Sequence, residues 1–393
     1  MVNINVKSPQ SGSKNVIFGI DREKLSDRGS LHTAREIAQQ PRVWREACSR
    51  VEASRDAIND WLRPRLLQEH VQVLFCGAGT SAFIGDTLAA WLRGNFKSDN
   101  PILFQAVPTT DLVANPEQYL GDDRPTILIS FARSGDSPES AASISLADQF
   151  LSNCSHLIIT CNREGKLAAY AEADQSVLCL FMPDGTNDHG FAMTSSYSSM
   201  LVSCATIFLP DARQVEMAAS LAARIIGDTY TGIAEVAEGS FSRLVVLGAG
   251  ALAGTAREAA LKYLELAAGR EVAISDTPLG IRHGPKMMIS ADTVVIQLVS
   301  SDPYTSKYDR DLSNELKTDA KASRVIELSP QVLFPGEEIA LDDIWLSLVY
   351  IVYCQILAFL RSYGLGVEVD SPCPSGEVNR VVQGVTIYPY PEQ

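Results

Sequence analysis

The sequence lacks the patterns that mark several large classes of protein. Its eight cysteines form no Cys-x-x-Cys pair and no Cys/His cluster at zinc spacing, so we expect free thiols in a reducing compartment and no metal site. Its first fifteen residues contain no apolar run, so we expect no signal peptide. Basic charge is also scarce, with 33 Lys and Arg against 47 Asp and Glu. The resulting net charge of −14 argues against bulk binding of nucleic acid, which needs a basic surface.

A membrane-spanning segment is also not expected. The longest apolar stretch, 344–360, follows two aspartates and contains Ser347 and Gln355. It falls just short of the length of about 20 residues that a spanning helix needs. We therefore predict a helix buried between domains or subunits, and a folded, cytoplasmic protein without a membrane partner.

Short apolar strands alternate with helices over most of the 393 residues. A helical stretch near 33–66 comes first, with Pro41 in a first turn or a break between two helices. Strands are then predicted at 71–76, 102–107, 126–131, 156–160 and 176–182, with helices at 81–94, 137–151, 165–172 and 195–209. Strands that are apolar throughout indicate a parallel sheet covered on both faces.

The pattern then repeats. Residues 243–267 resemble 71–92, since each segment has an apolar strand, Gly-Ala-Gly and a helix. Further strands are predicted at 270–274, 293–299 and 323–328, and a helix at 342–361 matches the one at 195–209. We predict an α/β fold with two tandem doubly wound parallel sheets, divided into an N-terminal arm and helix (1–46) and two domains (47–212 and 213–393).

The first Gly-Ala-Gly is followed by hydroxyls and the second is not. Gly79, Thr80 and Ser81 stand where the second repeat has Gly250, Ala251 and Leu252. Hydroxyls and backbone N–H groups at a helix N-terminus can hold an anion. An ordinary helix cap is the simpler alternative. Dinucleotide binding is weakly supported, because the only acidic residue after the next strand is Asp111, beyond a proline.

A second loop rich in donors spans 131–140, after the strand at 126–131. Arg133, Ser134, Ser137 and Ser140 surround a glycine there. A phosphate monoester needs several donors from different directions, and this loop supplies them. Ser137 could instead cap the helix that follows. Two such loops at the carboxyl ends of neighbouring strands favour a phosphate site, because ligands of open α/β sheets bind there.

Acid–base candidates occur in the second repeat. Lys262 and Glu265 are three residues apart and therefore share a helix face, although a surface ion pair is the simpler explanation. His283 lies between Arg282 and a Gly-Pro turn and could carry a proton near neutral pH. A structural histidine is the alternative, and His189 is a further candidate without a companion motif.

The chain resembles the sugar isomerase (SIS) domain family, and within it the AgaS-type proteins and, more distantly, the isomerase half of glucosamine-6-phosphate synthase. The segments that carry the resemblance are 33–44, 130–140, 278–286, 308–312 and 372–389. The resemblance implies that Ser81, Arg133, Ser134 and Ser137, with Thr80 adjacent, bind the phosphate. It also implies that Glu265 is the catalytic base with Lys262 as its helix lysine. His283 would open the sugar ring from the neighbouring subunit, in a homodimer or larger assembly with shared active sites.

The sequence departs from the synthase at several positions. Ala132 and Arg133 replace its Ser and Gln, and Gln383 stands where its C-terminal tail has a sugar-contacting lysine. We expect no glutaminase domain, and hence no amino-sugar synthesis from glutamine. We predict deamination of galactosamine 6-phosphate to tagatose 6-phosphate by proton transfer at C1 and C2, without a cofactor or metal. Plain isomerisation of a hexose 6-phosphate and a sugar-phosphate-sensing regulator are the alternatives.

Overall fold

The computed structural model describes residues 15–391, which form two compact units. The first unit comprises Val43–Asn187, Ser195–Ala212 and the chain from Gly376 onward. The second comprises the chain up to Arg42, Asp188–Thr194 and Arg213–Ser375. The units therefore differ from the predicted domains in three respects. The chain up to Arg42 and the inner segment Asp188–Thr194 group with the second unit, and the tail after Ser375 groups with the first.

The N-terminal part consists of a two-stranded antiparallel hairpin and three helices. Their bounds are β1 Val16–Ile17, β2 Ile20–Asp21, α1 Arg22–Asp27, α2 Leu31–Ala53 and α3 Arg55–Leu66. The predicted turn or break at Pro41 is wrong, since Pro41 lies inside α2. A proline there leaves the carbonyl of Ile37 without its usual N–H donor. The side chain of Gln40 supplies that donor at 3.1 Å.

The first unit contains a parallel sheet of five strands in the order β4-β3-β5-β6-β7. Both β3 and β5 are buried along their whole length, which explains their uninterrupted apolar sequences. The elements are β3 Gln72–Gly77, α4 Thr80–Asn95, β4 Leu103–Pro108, α5 Thr109–Leu112, α6 Pro116–Leu120, β5 Thr126–Ala132, α7 Pro138–Phe150, β6 Cys154–Thr160, α8 Lys166–Ala173, β7 Leu178–Phe181 and α9 Ser195–Phe208.

The second unit contains a parallel sheet of four strands in the order β11-β10-β8-β9. The predicted α/β fold with parallel sheets is confirmed. The elements are α10 Ala212–Arg224, a π-turn Ile225–Thr229, α11 Tyr230–Ala237, β8 Arg243–Leu247, α12 Ala251–Leu266, β9 Val272–Asp276, 3₁₀ turns Gly280–His283 and Pro285–Met288, β10 Thr293–Leu298, α13 Thr305–Asp319, β11 Arg324–Leu328, α14 Pro330–Leu333 and α15 Asp343–Gly364.

Helix α15 contains the apolar stretch that the sequence analysis singled out. Among residues 15–391, it is the one helix long and apolar enough to cross a membrane by length and composition. Of its most apolar window, 94% is buried inside the protein. It is therefore a core helix of the second unit, which confirms the predicted burial, while burial between domains or subunits stays a prediction.

The predicted free thiols are confirmed, since all eight cysteines are unpaired. Burial raises the pKa of Cys76 to about 12 and that of Cys179 to about 11. A thiol with so high a pKa is protonated at neutral pH and is a poor nucleophile. These cysteines therefore act as core residues.

Candidate functional site

The loop between β3 and α4 is shaped by two glycines. A Cβ at Gly77 would lie 2.5 Å from the carbonyl carbon of Ser81, so only glycine fits there. Gly79 has a φ of 54°, which glycine adopts without strain. This turn places Thr80 and Ser81 in the first turn of α4, each 4% exposed. Two hydroxyl side chains thus lie at the helix N-terminus, where the helix dipole carries its partial positive charge.

The equivalent turn in the second unit has nearly the same backbone. Gly250 has φ 57° and ψ −127°, against 54° and −125° at Gly79. There the helix opens with Ala251 and Leu252. The turn therefore folds without hydroxyls, so its backbone conformation does not explain why Thr80 and Ser81 follow it in the first unit.

The loop between β5 and α7 is held by its neighbours. Gly135 has a φ of 73°, and the side chain of Asn162 donates to the carbonyl of Ser134 at 2.8 Å. Ser137 occupies the N-cap position of α7, as the alternative interpretation expects, but its side chain makes no cap hydrogen bond. Its hydroxyl lies 2.6 Å from that of Ser140 instead. The loop therefore keeps a hydroxyl pair at the N-terminus of α7.

Arg133 directly follows β5 and makes a contact that the sequence did not predict. Its side chain is only 7% exposed, and its guanidinium donates to the main-chain carbonyl of Arg380 at 2.5 Å. From the sequence, Arg133 is predicted to bind phosphate alone, and no local pattern signals its contact with the tail. Gln383, the candidate sugar contact of the tail, is exposed three residues later.

Lys262 and Glu265 form an ion pair on α12, but it is not the surface pair of the simpler explanation. Lys262 is 1% exposed, and its ammonium donates to Glu265. A second carboxylate, from the fully buried Glu258, lies 3.6 Å from the same ammonium. Glu265 retains 24% side-chain exposure. One carboxylate thus stays accessible while a buried cation holds it in place.

Glu258 was missed by the sequence analysis. It lies four residues before Lys262 and therefore on the same helix face. The spacing Glu-x-x-x-Lys-x-x-Glu was the available signal. Sequence alone could not distinguish a solvated face from a buried one.

His283 ends the 3₁₀ turn Gly280–His283 and is exposed. The residues on either side fix the loop to α13. Arg282 donates to Glu315 at 2.7 Å, and Lys286 donates to the same carboxylate. Hydrogen bonds from Lys286 and Arg282 lower the pKa of Glu315. His283 is thus exposed to solvent on a loop that the ion pairs with Glu315 hold in place.

His189, the other candidate histidine, belongs to a different cluster of the second unit. The main-chain N–H of His189 donates to the carboxylate of Glu36 at 2.5 Å, and the main-chain N–H of Gly190 donates to the same carboxylate. Burial, followed by repulsion from Asp188, raises the pKa of Glu36 to about 8. Glu36 therefore anchors the segment Asp188–Thr194 through backbone contacts. The histidine ring itself is exposed.

No group of three or more His, Cys, Asp or Glu side chains suited to a metal ion occurs within residues 15–391. The candidate residues fall into two sets. The hydroxyls and Arg133 of the first unit are donors, which suit an anion. Glu265, Lys262 and His283 of the second unit can accept and donate protons.

Comparison with known proteins finds a matching family model, similar sequences and a similar solved structure. Residues 65–210 match the family model of the SIS domain. The chain is 44% identical to D-galactosamine-6-phosphate deaminase AgaS of Shewanella sp. (strain ANA-3), over 94% of this chain and 95% of that protein. It is 43% identical to the Escherichia coli protein of the same name, over 91% and 96%. A solved tagatose-6-phosphate ketose/aldose isomerase from Escherichia coli superposes with a TM-score of 0.80 and 40% identity, covering 91% of this chain and 96% of that one.

Proposed function

Because this chain belongs to the AgaS branch of the sugar isomerase (SIS) domain family, we propose that it is a cytoplasmic enzyme that converts galactosamine 6-phosphate and water into tagatose 6-phosphate and ammonia. The observation that carries the proposal is the 44% identity, over 94% of the chain, to a protein named for this deamination. We assign no cofactor, since proton transfer between C1 and C2 needs only acid and base groups.

We propose that both units are SIS domains in tandem. The family match covers most of the first unit. The second unit supports the assignment through its parallel sheet and through the turn at Gly250, whose backbone angles match those at Gly79. The two domains then differ in chemistry, because only the first has hydroxyls after this turn.

The phosphate is bound by the first unit in this proposal. Ser81 and Thr80 lie at the N-terminus of the 16-residue helix α4, and Ser134 and Ser137 precede the 13-residue helix α7. Each helix end carries partial positive charge and N–H donors that favour an anion. Arg133 adds a full positive charge beside Ser134. Binding of this remote group positions C1 and C2 for reaction.

Replacing both Ser81 and Ser134 with alanine is expected to raise KM for galactosamine 6-phosphate about 10²- to 10⁴-fold, because the variant loses two hydrogen bonds to a charged group, each worth about 1.5–3 kcal/mol. Unphosphorylated galactosamine should be affected much less. Steady-state kinetics on the two substrates measures the difference. Ser145→Ala, an exposed hydroxyl outside the loop on α7, is the control and should leave KM unchanged. Equal effects on both sugars would contradict the phosphate assignment.

Glu265 and His283 carry the proton transfers. His283 moves a proton between O5 and O1 as the ring opens. Glu265 then removes the proton from C2, and protonation at C1 leaves an imine at C2. Water adds to the imine carbon, and the C–N bond breaks to release ammonia and the ketose. Lys262, bonded to Glu265 and buried, fixes the direction of the carboxylate.

Ammonia release from galactosamine 6-phosphate and from glucosamine 6-phosphate tests the function directly. We expect release with formation of tagatose 6-phosphate from the galacto sugar. A second candidate is plain ketose/aldose isomerisation, which the name of the 40%-identical solved structure supports. Interconversion of tagatose 6-phosphate and galactose 6-phosphate without ammonia release would favour that candidate. Binding without any turnover would point to a sugar-phosphate sensor.

We further propose a homodimer or larger homo-oligomer in which His283 serves a neighbouring subunit. The exposure of His283 on an anchored loop supports this assignment. Mixing two inactive variants, Glu265→Gln and His283→Ala, should restore activity if subunits share sites. Absence of any recovery after subunit exchange would argue for sites built within one chain.

A further inference from the structure

The C-terminal tail, residues 376–391, has no regular secondary structure, yet two contacts fix it within the first unit. The first contact is at Arg380. Its carbonyl accepts from Arg133, and its own side chain donates to Asn187 at 2.7 Å. The second is at Tyr390, whose hydroxyl donates to Glu117 and whose ring centroid lies 4.9 Å from that of Phe150. The stretch between these contacts is therefore tethered at both ends.

The contact at residue 380 depends on Arg133 more than on the tail sequence. The acceptor is a main-chain carbonyl, which every residue type presents. The donor is a guanidinium that is largely shielded from water, where a charged hydrogen bond is strong. Arg133 also adjoins Ser134 in the phosphate loop. One side chain thus connects the tail to the loop.

Gln383 lies close to this connection along the chain. Three residues of extended backbone span at most about 11 Å, so fixing residue 380 confines Gln383 to the neighbourhood of Arg133. The side-chain contact of Arg380 with Asn187 also holds this residue, but a contact at the end of a long side chain permits more movement of the backbone than a bond at the main-chain carbonyl.

From these contacts we infer that Arg133 is a positioning residue for the C-terminal tail, which holds Gln383 beside the phosphate loop. The inference deepens the proposed function and rests on it for the role of Gln383. It predicts that loss of Arg133 lowers kcat as well as weakening phosphate binding. A residue that only bound phosphate would leave the C-terminal tail as firmly held as in the wild type.

Limited trypsin digestion tests the tail contact without any substrate. Arg380 is the only Lys or Arg after Ser375, so cleavage there releases residues 381–393. In Arg133→Gln we expect this peptide to appear about 10-fold faster by mass spectrometry, because a lost hydrogen bond to a charged group raises the open population by at least that factor. Ser134→Ala, which leaves Arg133 in place, should be cleaved at the wild-type rate.

Kinetics at saturating galactosamine 6-phosphate test the consequence. Arg133→Gln should lower kcat about 10-fold, the size expected when a charged hydrogen bond that holds a positioned group is lost. Asn187→Ala, which removes the side-chain acceptor at 2.7 Å from Arg380 but leaves the phosphate loop intact, should also lower kcat and leave KM unchanged. The double variant should lose less than the product of the two single effects, because both act on one segment.

Two results would overturn the inference. One is an unchanged rate of cleavage after Arg380 in Arg133→Gln. The other is faster cleavage together with an unchanged kcat. If the wild-type protein releases no ammonia, the proposed function fails while the trypsin experiment still reports on the tail contact, so the two failures are distinguishable.

Discussion

Glu265→Gln is expected to reduce deamination turnover by about 10²–10⁴-fold, the range typical for loss of a general base. Glutamine has the same shape and can still accept the hydrogen bond from Lys262, but it cannot take the proton from C2. The fold should persist, because Glu265 is partly exposed on α12. Ammonia release measured beside a far-UV circular dichroism spectrum tests both statements.

The effect of Glu265→Gln is measured against a control variant and by a second assay that reports on the chemical step alone. Glu238→Gln changes an exposed carboxylate of the same unit at the end of α11, and it should keep wild-type turnover. Exchange of the C2 proton with deuterated water should be lost in Glu265→Gln. If turnover and exchange both persist in a folded variant, another group is the base.

The second large effect concerns the stability of the second unit. Arg361 of α15 is buried and pairs with Glu271 through its Nε and Nη2 atoms, at 2.5 to 3.1 Å. It also donates to the carbonyls of Ala237, Gly239 and Phe241, at 2.6 to 2.9 Å. This single side chain therefore holds the end of α11 and the segment before β9 against the core helix.

Arg361→Met is expected to lower the free energy of unfolding by about 3–5 kcal/mol, the usual cost of breaking a buried ion pair by removing one partner. Methionine fills much of the volume but leaves the Glu271 carboxylate buried without its cation. Urea unfolding followed by circular dichroism measures the change.

The double variant Arg361→Met/Glu271→Gln separates charge from packing. Glutamine removes the uncompensated charge and can still accept from Tyr263, which bonds to Glu271 in the wild type. The double variant should be more stable than Arg361→Met alone. A double variant that is equally unstable would attribute the loss to the carbonyl contacts instead.

Several features of the fold could be predicted because they depend on neighbours in the chain. Apolar strands, helix periodicity and the Gly-Ala-Gly turns are local patterns, and the strands formed within about two residues of their predicted bounds. The prediction of a turn or break at Pro41 is wrong. The rule that proline breaks a helix depends on an unsatisfied carbonyl, and here the side chain of Gln40 satisfies that of Ile37.

The same distinction between local patterns and contacts of distant residues applies to the candidate site. Sequence identified the hydroxyls at Thr80 and Ser81, the loop 133–137 and the pairing of Lys262 with Glu265, because each is a short pattern. It did not find Glu258 as the second partner of Lys262 or Glu36 as the anchor of Asp188–Thr194. Whether a helix face is buried depends on the elements packed against it, which no local pattern contains.

The sequence by itself therefore determined the strand–turn–helix units, the chemical types at their ends and the family. Only the tertiary structure decided that the tail belongs to the first unit, that Lys262 is buried and that Arg133 is bonded to the tail. The physical reason is that burial and hydrogen bonds between residues hundreds of positions apart arise from how the chain packs. A carbonyl such as that of Arg380 carries no sequence signature, since every residue has one.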